Sequence, residues 1–99
     1  MDTVYEEISQ EDPQYKLLIM DVNAEPKEYW TCIFKYVPAR EDFWICLNMG
    51  YRRIKPGDIN DENFVRELPP SYSSLEVAII QGKELLKKYV SGVMRCSLQ

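Results

Sequence analysis

Apolar residues change rhythm along this chain. Between residues 15 and 52 they gather in three runs, YKLLIMDV, YWTCIFKYV and FWICLNMGY, rich in β-branched and aromatic side chains as strands are. Between residues 74 and 94 they recur every three or four positions, as on one face of a helix. A sheet face and a helix stripe each need an apolar partner in water. The pattern therefore predicts an α+β domain: a three-stranded, mostly antiparallel sheet packed against a long C-terminal helix.

Alternation assigns faces within each run. Strand Tyr15–Val22 divides into Tyr15, Leu17 and Ile19 against Lys16, Leu18, Met20 and Val22, and both sets are mostly apolar. The stretch NAEPK, centred on Pro26, predicts a five-residue hairpin connection. In the strand from Glu28 to Val37, bulk favours Trp30, Cys32, Phe34 and Tyr36 as the core face over Tyr29, Thr31, Ile33 and Lys35. After PARED, a strand from Phe43 to Arg52 sets Phe43, Ile45, Leu47, Met49 and Tyr51 toward the core, and Trp44, Asn48 and Arg52 toward solvent or a partner. Short hairpins then give a meander with Phe34 and Leu47 beneath the helix.

The punctuation between these runs is also readable. RIKPGDINDEN ends the strand pattern at Pro56-Gly57, and Asn60 or Asp61 caps a short helix at 60–68 that Pro69-Pro70 terminates. The long helix starts at Ser73, whose hydroxyl and Glu76 form a capping box, and buries Leu75, Ala78, Ile79, Leu85 or Leu86, Tyr89 and Val93. Gly82 costs roughly 1 kcal/mol relative to Ala in a helix interior, so its place beside this stripe predicts a close approach to the sheet. Gly92 is a second candidate stop. Residues 1–14 read as an acidic arm or a short helix on Val4 and Ile8, residues 15–94 as one compact domain and residues 95–99 as a tail.

Composition narrows the class. With 45% apolar and 12% aromatic residues in 99, one core is affordable and two are not. No apolar run reaches the roughly 18 to 20 residues of a membrane span, and the acidic start is unlike a signal peptide, so a cytoplasmic, membrane-free protein is expected. The net charge of −4 is sorted along the chain. Residues 1–28 carry eight acids and two lysines, whereas residues 29–57 carry five bases and two acids. Sorting of that kind can orient an encounter with a charged partner.

Candidate chemistry is sparse. The chain has no histidine, which removes the commonest general base working near neutral pH. Cys32, Cys46 and Cys96 are odd in number and lack zinc-finger spacing; they are expected to hold neither a metal nor an obligatory disulfide. Cys32 and Cys46, in adjacent strands, fall where small buried thiols belong and could lie across from one another. Asp58, Asp61 and Glu62 lack the ligand spacing of a calcium loop, and IKPGD has one glycine and no phosphate cradle. No cofactor is expected.

These observations favour a non-enzymatic protein-binding module over a catalyst. Its size and acidity suit a stoichiometric inhibitor, of the kind small immunity and anti-defence proteins exemplify. The aromatic count exceeds the need of one sheet–helix core, and Tyr and Trp recur at interface centres. The expected contact surface is Trp44, Asn48, Tyr51, Arg52, Arg53 and Lys55 together with the acids Glu6, Glu7, Glu11 and Asp12. A protein partner or a homodimer is the leading expectation. The alternatives are a nucleic-acid accessory protein using the Arg52/Arg53/Lys55 cluster with nearby aromatics, and a small enzyme using carboxylate or Lys/Tyr chemistry.

Overall fold

The computed structural model describes residues 2–38, 43–53 and 64–93, with the backbone alone at 51–53 and 64–66. In chain order the elements are β1 (Asp2–Ile8), β2 (Tyr15–Ala24), β3 (Lys27–Val37), β4 (Phe43–Cys46), β5 (Gly50–Arg53), β6 (Phe64–Glu67), β7 (Ser71–Tyr72) and α1 (Leu75–Val90). The main sheet runs β1-β2-β3-β4, with β7 also paired to β3. Every ladder is antiparallel, and β5 and β6 form a separate pair. The expected α+β class stands, with five strands in the sheet where three were expected. No helix among the described residues is long and apolar enough to cross a membrane.

The added strand at the N-terminus corrects the arm-or-helix reading. Residues 2–8 pair with β2, Tyr5 opposite Ile19 and Glu7 opposite Leu17, with a register shift between Thr3 and Tyr5. Val4 and Ile8 are four apart, which satisfies a period of 2 as well as a helical turn. Thr3, Val4, Tyr5 and Ile8 are β-formers, and a β2 edge with unpaired backbone groups decides the outcome. The second hairpin is also tighter than expected: β2 and β3 pair out to Ala24 and Lys27 and turn through Glu25–Pro26, joined by a cis peptide bond.

The core lies between α1 and one sheet face. Leu17 stands opposite Ile33 and Ile19 opposite Thr31, all fully or almost fully buried. Leu47, Ala78, Leu86 and Tyr89 complete the cluster, flanked by Tyr5, Tyr15, Tyr29 and Ile45. Thus Trp30, Cys32, Phe34 and Tyr36, expected to face the helix, turn the other way, and Phe34 does not share a face with Leu47. A Cβ built at Gly82 would meet both δ carbons of Leu17 at 2.9 Å and Cδ1 of Ile19 at 3.2 Å. A helix seated this low accommodates branched aliphatics and Thr31 beneath it, and leaves no room for a row of large aromatics.

The expected third strand, Phe43–Arg52, breaks in two. Its first part, β4, pairs with β3 from Phe34 to Val37, while β7 takes the same edge of β3 at Tyr29 and Trp30. Between them the chain bends, and Asn48 fills the gap with its side chain. Its Oδ1 accepts from Ile33 N at 3.0 Å and its Nδ2 donates to the Thr31 carbonyl at 2.8 Å. Leu47 N bonds the Ile33 carbonyl at 2.8 Å, and the Pro70 carbonyl accepts from both Thr31 N and Thr31 Oγ1 at 2.9 Å. One carboxamide thereby pairs two backbone groups of β3, as a strand residue would.

Two helix boundaries also move. Ser74, not Ser73, is the N-cap, accepting from Val77 N at 3.4 Å, so Glu76 lies in the first turn without closing a capping box. At the other end Gly92 adopts φ +83° just past Ser91, the left-handed residue that commonly stops a helix. Val93 is consequently beyond α1 and 73% exposed instead of completing the stripe. Phe64–Glu67, placed by the sequence in a short helix at 60–68, is strand β6, and residues 60–63 lie outside the described part.

Candidate functional site: an acidic sheet edge and a thiol pair

β1 is an end strand of the sheet. Among the described residues it pairs on one side only, leaving its outer backbone edge open. Tyr5 and Glu7 point to the helix side, while Val4 and Ile8 are 42% and 52% exposed. The acids of this region are held in place by their neighbours. Glu6 accepts from Lys16 Nζ at 3.1 Å, and Glu7 accepts from the Tyr5 hydroxyl at 2.7 Å with Lys83 Nζ at 3.6 Å. Asp12 shapes the β1–β2 turn, its carboxylate accepting from Gln14 N at 3.1 Å and its own N–H donating to Ser9 Oγ. The Glu7 hydrogen bond, followed by partial burial and the Glu7 charge, raises the Tyr5 hydroxyl above its ordinary range.

Between this strand and α1 lies an open groove of about 330 Å³, lined by Glu7, Glu11, Ile80, Lys83, Glu84 and Lys87 among others. Three of its lining groups are carboxylates and two are lysines, around the apolar side chain of Ile80. Of the acids expected at a contact surface, Glu6, Glu7, Glu11 and Asp12 are therefore gathered along β1 and the turn that follows it. Val4 and Ile8 on β1, and Ile80 on α1, are exposed apolar residues near these acids that the sequence pattern did not assign to a contact surface. The exposure of Val4 and Ile8 becomes informative only once β1 is known to be an edge.

Of the remaining expected contact residues, Asn48 and Trp44 occupy different surroundings. Asn48 is buried and committed to β3, which corrects its placement on a solvent-facing stripe with Trp44 and Arg52. Trp44 is half-buried on the sheet face opposite α1, its ring 5.4 Å from that of Tyr36 and 4.2 Å from Lys16 Nζ. Tyr51, Arg52 and Arg53 belong to β5, paired with β6 and not with the main sheet. Lys55 lies outside the described residues, as do Asp58, Asp61, Glu62 and Cys96.

On that same far face the structure brings two thiols together. Cys46 stands opposite Phe34, so Cys32, two residues along β3, is its diagonal neighbour. Cys32 is fully buried, Cys46 partly so, and both are free. The neighbouring Cys46 sulfur, then burial, holds the Cys32 thiol far above its ordinary range. Cys32 in turn lowers Cys46, opposed by burial and aided by the backbone at Asn48 and Met49. In its protonated form Cys46 rests 3.4 Å from Asn48 Oδ1. These influences favour the thiolate at Cys46 and the thiol at Cys32.

No family model, curated protein or solved structure matches the chain.

Proposed function

We propose that this protein is a non-enzymatic binding module that takes a basic segment of another protein along the outer edge of β1. The carrying observation is the open edge of β1 with Asp2, Glu6 and Glu7 on the strand and Glu11 beside it. An unpaired edge offers a row of backbone donors and acceptors to an incoming strand. Acids on that edge discriminate among strands: pairing β1 with a second copy of itself would bring like charges together, whereas a lysine- or arginine-bearing strand would be attracted. The exposed Val4 and Ile8 supply apolar contact on the same strand.

Binding of this kind fits an inhibitor that occupies a basic surface, in an intracellular setting. The test is affinity capture at low and high salt with the intact chain and with an Asp2→Lys/Glu11→Lys variant of unchanged melting temperature. A specific protein captured by the intact chain, weakened at least about tenfold by the charge reversal and by salt, supports the reading. Undiminished capture by the variant overturns the role of the edge. Recovery of nucleic acid alone overturns the protein-binding reading, and a concentration-dependent dimer abolished by the variant would replace it with self-association.

A further inference from the structure

We propose that Cys46 and Cys32 form an oxidant-responsive pair, in which Cys46 reacts with a hydroperoxide and Cys32 then closes an intramolecular disulfide between β4 and β3. This is independent of the β1 edge. It rests on placement: Cys46 is partly open to solvent, and Cys32, its diagonal neighbour on the same sheet face, is fully buried, with both thiols free. Neither is needed to fill a hydrogen-bonding gap in the sheet, since Asn48, Leu47 and the Pro70 carbonyl already serve β3 there.

Chemistry assigns the order. The nucleophile must be reachable and reacts as the thiolate; Cys46 is the partly exposed residue of the two, and its thiol is the one whose pKa is lowered, first by Cys32. Its sulfur attacks one oxygen of the peroxide, the O–O bond breaks, and the departing oxygen leaves as an alcohol or water after taking a proton. Cys46 is then a sulfenic acid. Cys32 gives up its proton, its sulfur attacks that of Cys46, the S–O bond breaks, and hydroxide leaves as water. Two thiols have lost two electrons and two protons, and the peroxide has gained them. A small thiol reductant reverses the bridge by exchange.

Bridging draws Cys46 from Asn48 Oδ1, so oxidation acts on the residue that holds Thr31 and Ile33. The pair thus couples a solvent-reachable reaction to the join between β4 and β7.

The decisive experiment treats the full-length protein and a Cys96→Ser form with hydrogen peroxide, followed by alkylation and peptide mapping. The expected product is a Cys32–Cys46 bridge, lost on adding dithiothreitol, with Cys46 in the reduced protein alkylated by iodoacetamide at least about tenfold faster than Cys32. In the Cys96→Ser background, Cys32→Ser should accumulate a sulfenic acid at Cys46 that dimedone traps, whereas Cys46→Ser should leave Cys32 unreactive. If a serine variant does not fold, mapping of the unsubstituted protein decides alone. Equal reactivity at the two thiols, a bridge only to Cys96, or peroxide-resistant thiols in the folded protein would each overturn the proposal.

Discussion

Leu17 packs against the backbone of α1 at Gly82, so closely that a single added carbon at residue 82 would stand 2.9 Å from both of its δ carbons. Leu17 is fully buried and has Ile33 opposite it and Ile19 two residues along. It cannot swing aside at low cost. Gly82→Ala gains roughly 1 kcal/mol of helix propensity and meets an overpacking cost of about 1 to 3 kcal/mol. The net expectation is a destabilisation of about 1 kcal/mol in urea unfolding. Replacing Leu17 with Ala in the same chain should reverse the sign, because the added methyl then enters the space that Leu17 vacates. A stabilising Gly82→Ala in the parent would show that the helix can lift from the sheet.

Asn48 is the second place where one side chain decides the packing of a segment. Asn48→Ala removes the partners of the Ile33 N–H and the Thr31 carbonyl, and at about 1 to 3 kcal/mol for each group left unsatisfied the loss should be about 2 to 6 kcal/mol in all. Asn48→Asp keeps an acceptor for Ile33 but sets a carboxylate oxygen against the Thr31 carbonyl. It should destabilise at neutral pH by a similar amount despite its near-identical shape. Amide exchange at Ile33 reports the mechanism: it should accelerate selectively in the alanine variant, and an unchanged rate there would mean that another group replaces Asn48.

Much of this architecture is written in the local pattern. The helix stripe, the runs at 15–22 and 28–37, and the close approach at Gly82 follow from periodicity and from the rarity of glycine in helix interiors. The face of β3 was not legible, because Trp30, Cys32, Phe34 and Tyr36 outweigh Tyr29, Thr31 and Ile33 in bulk, and bulk is a poor guide where a helix sits low on the sheet. The break after Cys46 was not legible either. It arises because β7, from a distant part of the chain, takes the edge of β3 that a continuous strand would have used. Of the candidate site, the acids near the N-terminus were visible as charge, but their meaning depends on an edge that only pairing defines. The neighbourhood of Cys32 and Cys46 was legible from strand adjacency, whereas their unequal acidity depends first on each other and on burial, and then on the backbone at Asn48 and Met49.

Lys16 joins the acidic edge to the aromatic face. Its Nζ lies 4.2 Å from the Trp44 ring centroid and 3.1 Å from Glu6 Oε2, and its side chain is only 16% exposed. Lys16→Met retains the packing of the stem and removes the charge. It should cost about 1 kcal/mol, with most of the coupling in a double-mutant cycle falling on Trp44→Leu. Glu6→Gln should cost less than about 0.5 kcal/mol, because that carboxylate is half-exposed and salt screens its attraction. A neutral Lys16→Met would show that the contact with Trp44 contributes shape and no electrostatic stabilisation.

Tyr5 and Glu7 give the fold a measurable alkaline sensitivity. The Tyr5 hydroxyl donates to Glu7 Oε1 at 2.7 Å, and this bond is the first cause of its raised pKa; partial burial and the Glu7 charge add to it, and Lys83 opposes it. A phenol whose folded value exceeds its unfolded value near 10 contributes stability that is fully present below about pH 10 and disappears as pH rises through the folded value. The native protein should therefore lose melting temperature on moving from about pH 9 to about pH 11 more steeply than Tyr5→Phe, which has no proton to surrender. Glu7→Gln should flatten the same slope by bringing Tyr5 back toward its ordinary range. Lys83→Met should steepen it, since the lysine is the group that favours the phenolate. Three slopes in that order would identify the Tyr5–Glu7–Lys83 cluster as the sensitive element, while identical slopes for the parent and Tyr5→Phe would assign the alkaline loss to other tyrosines.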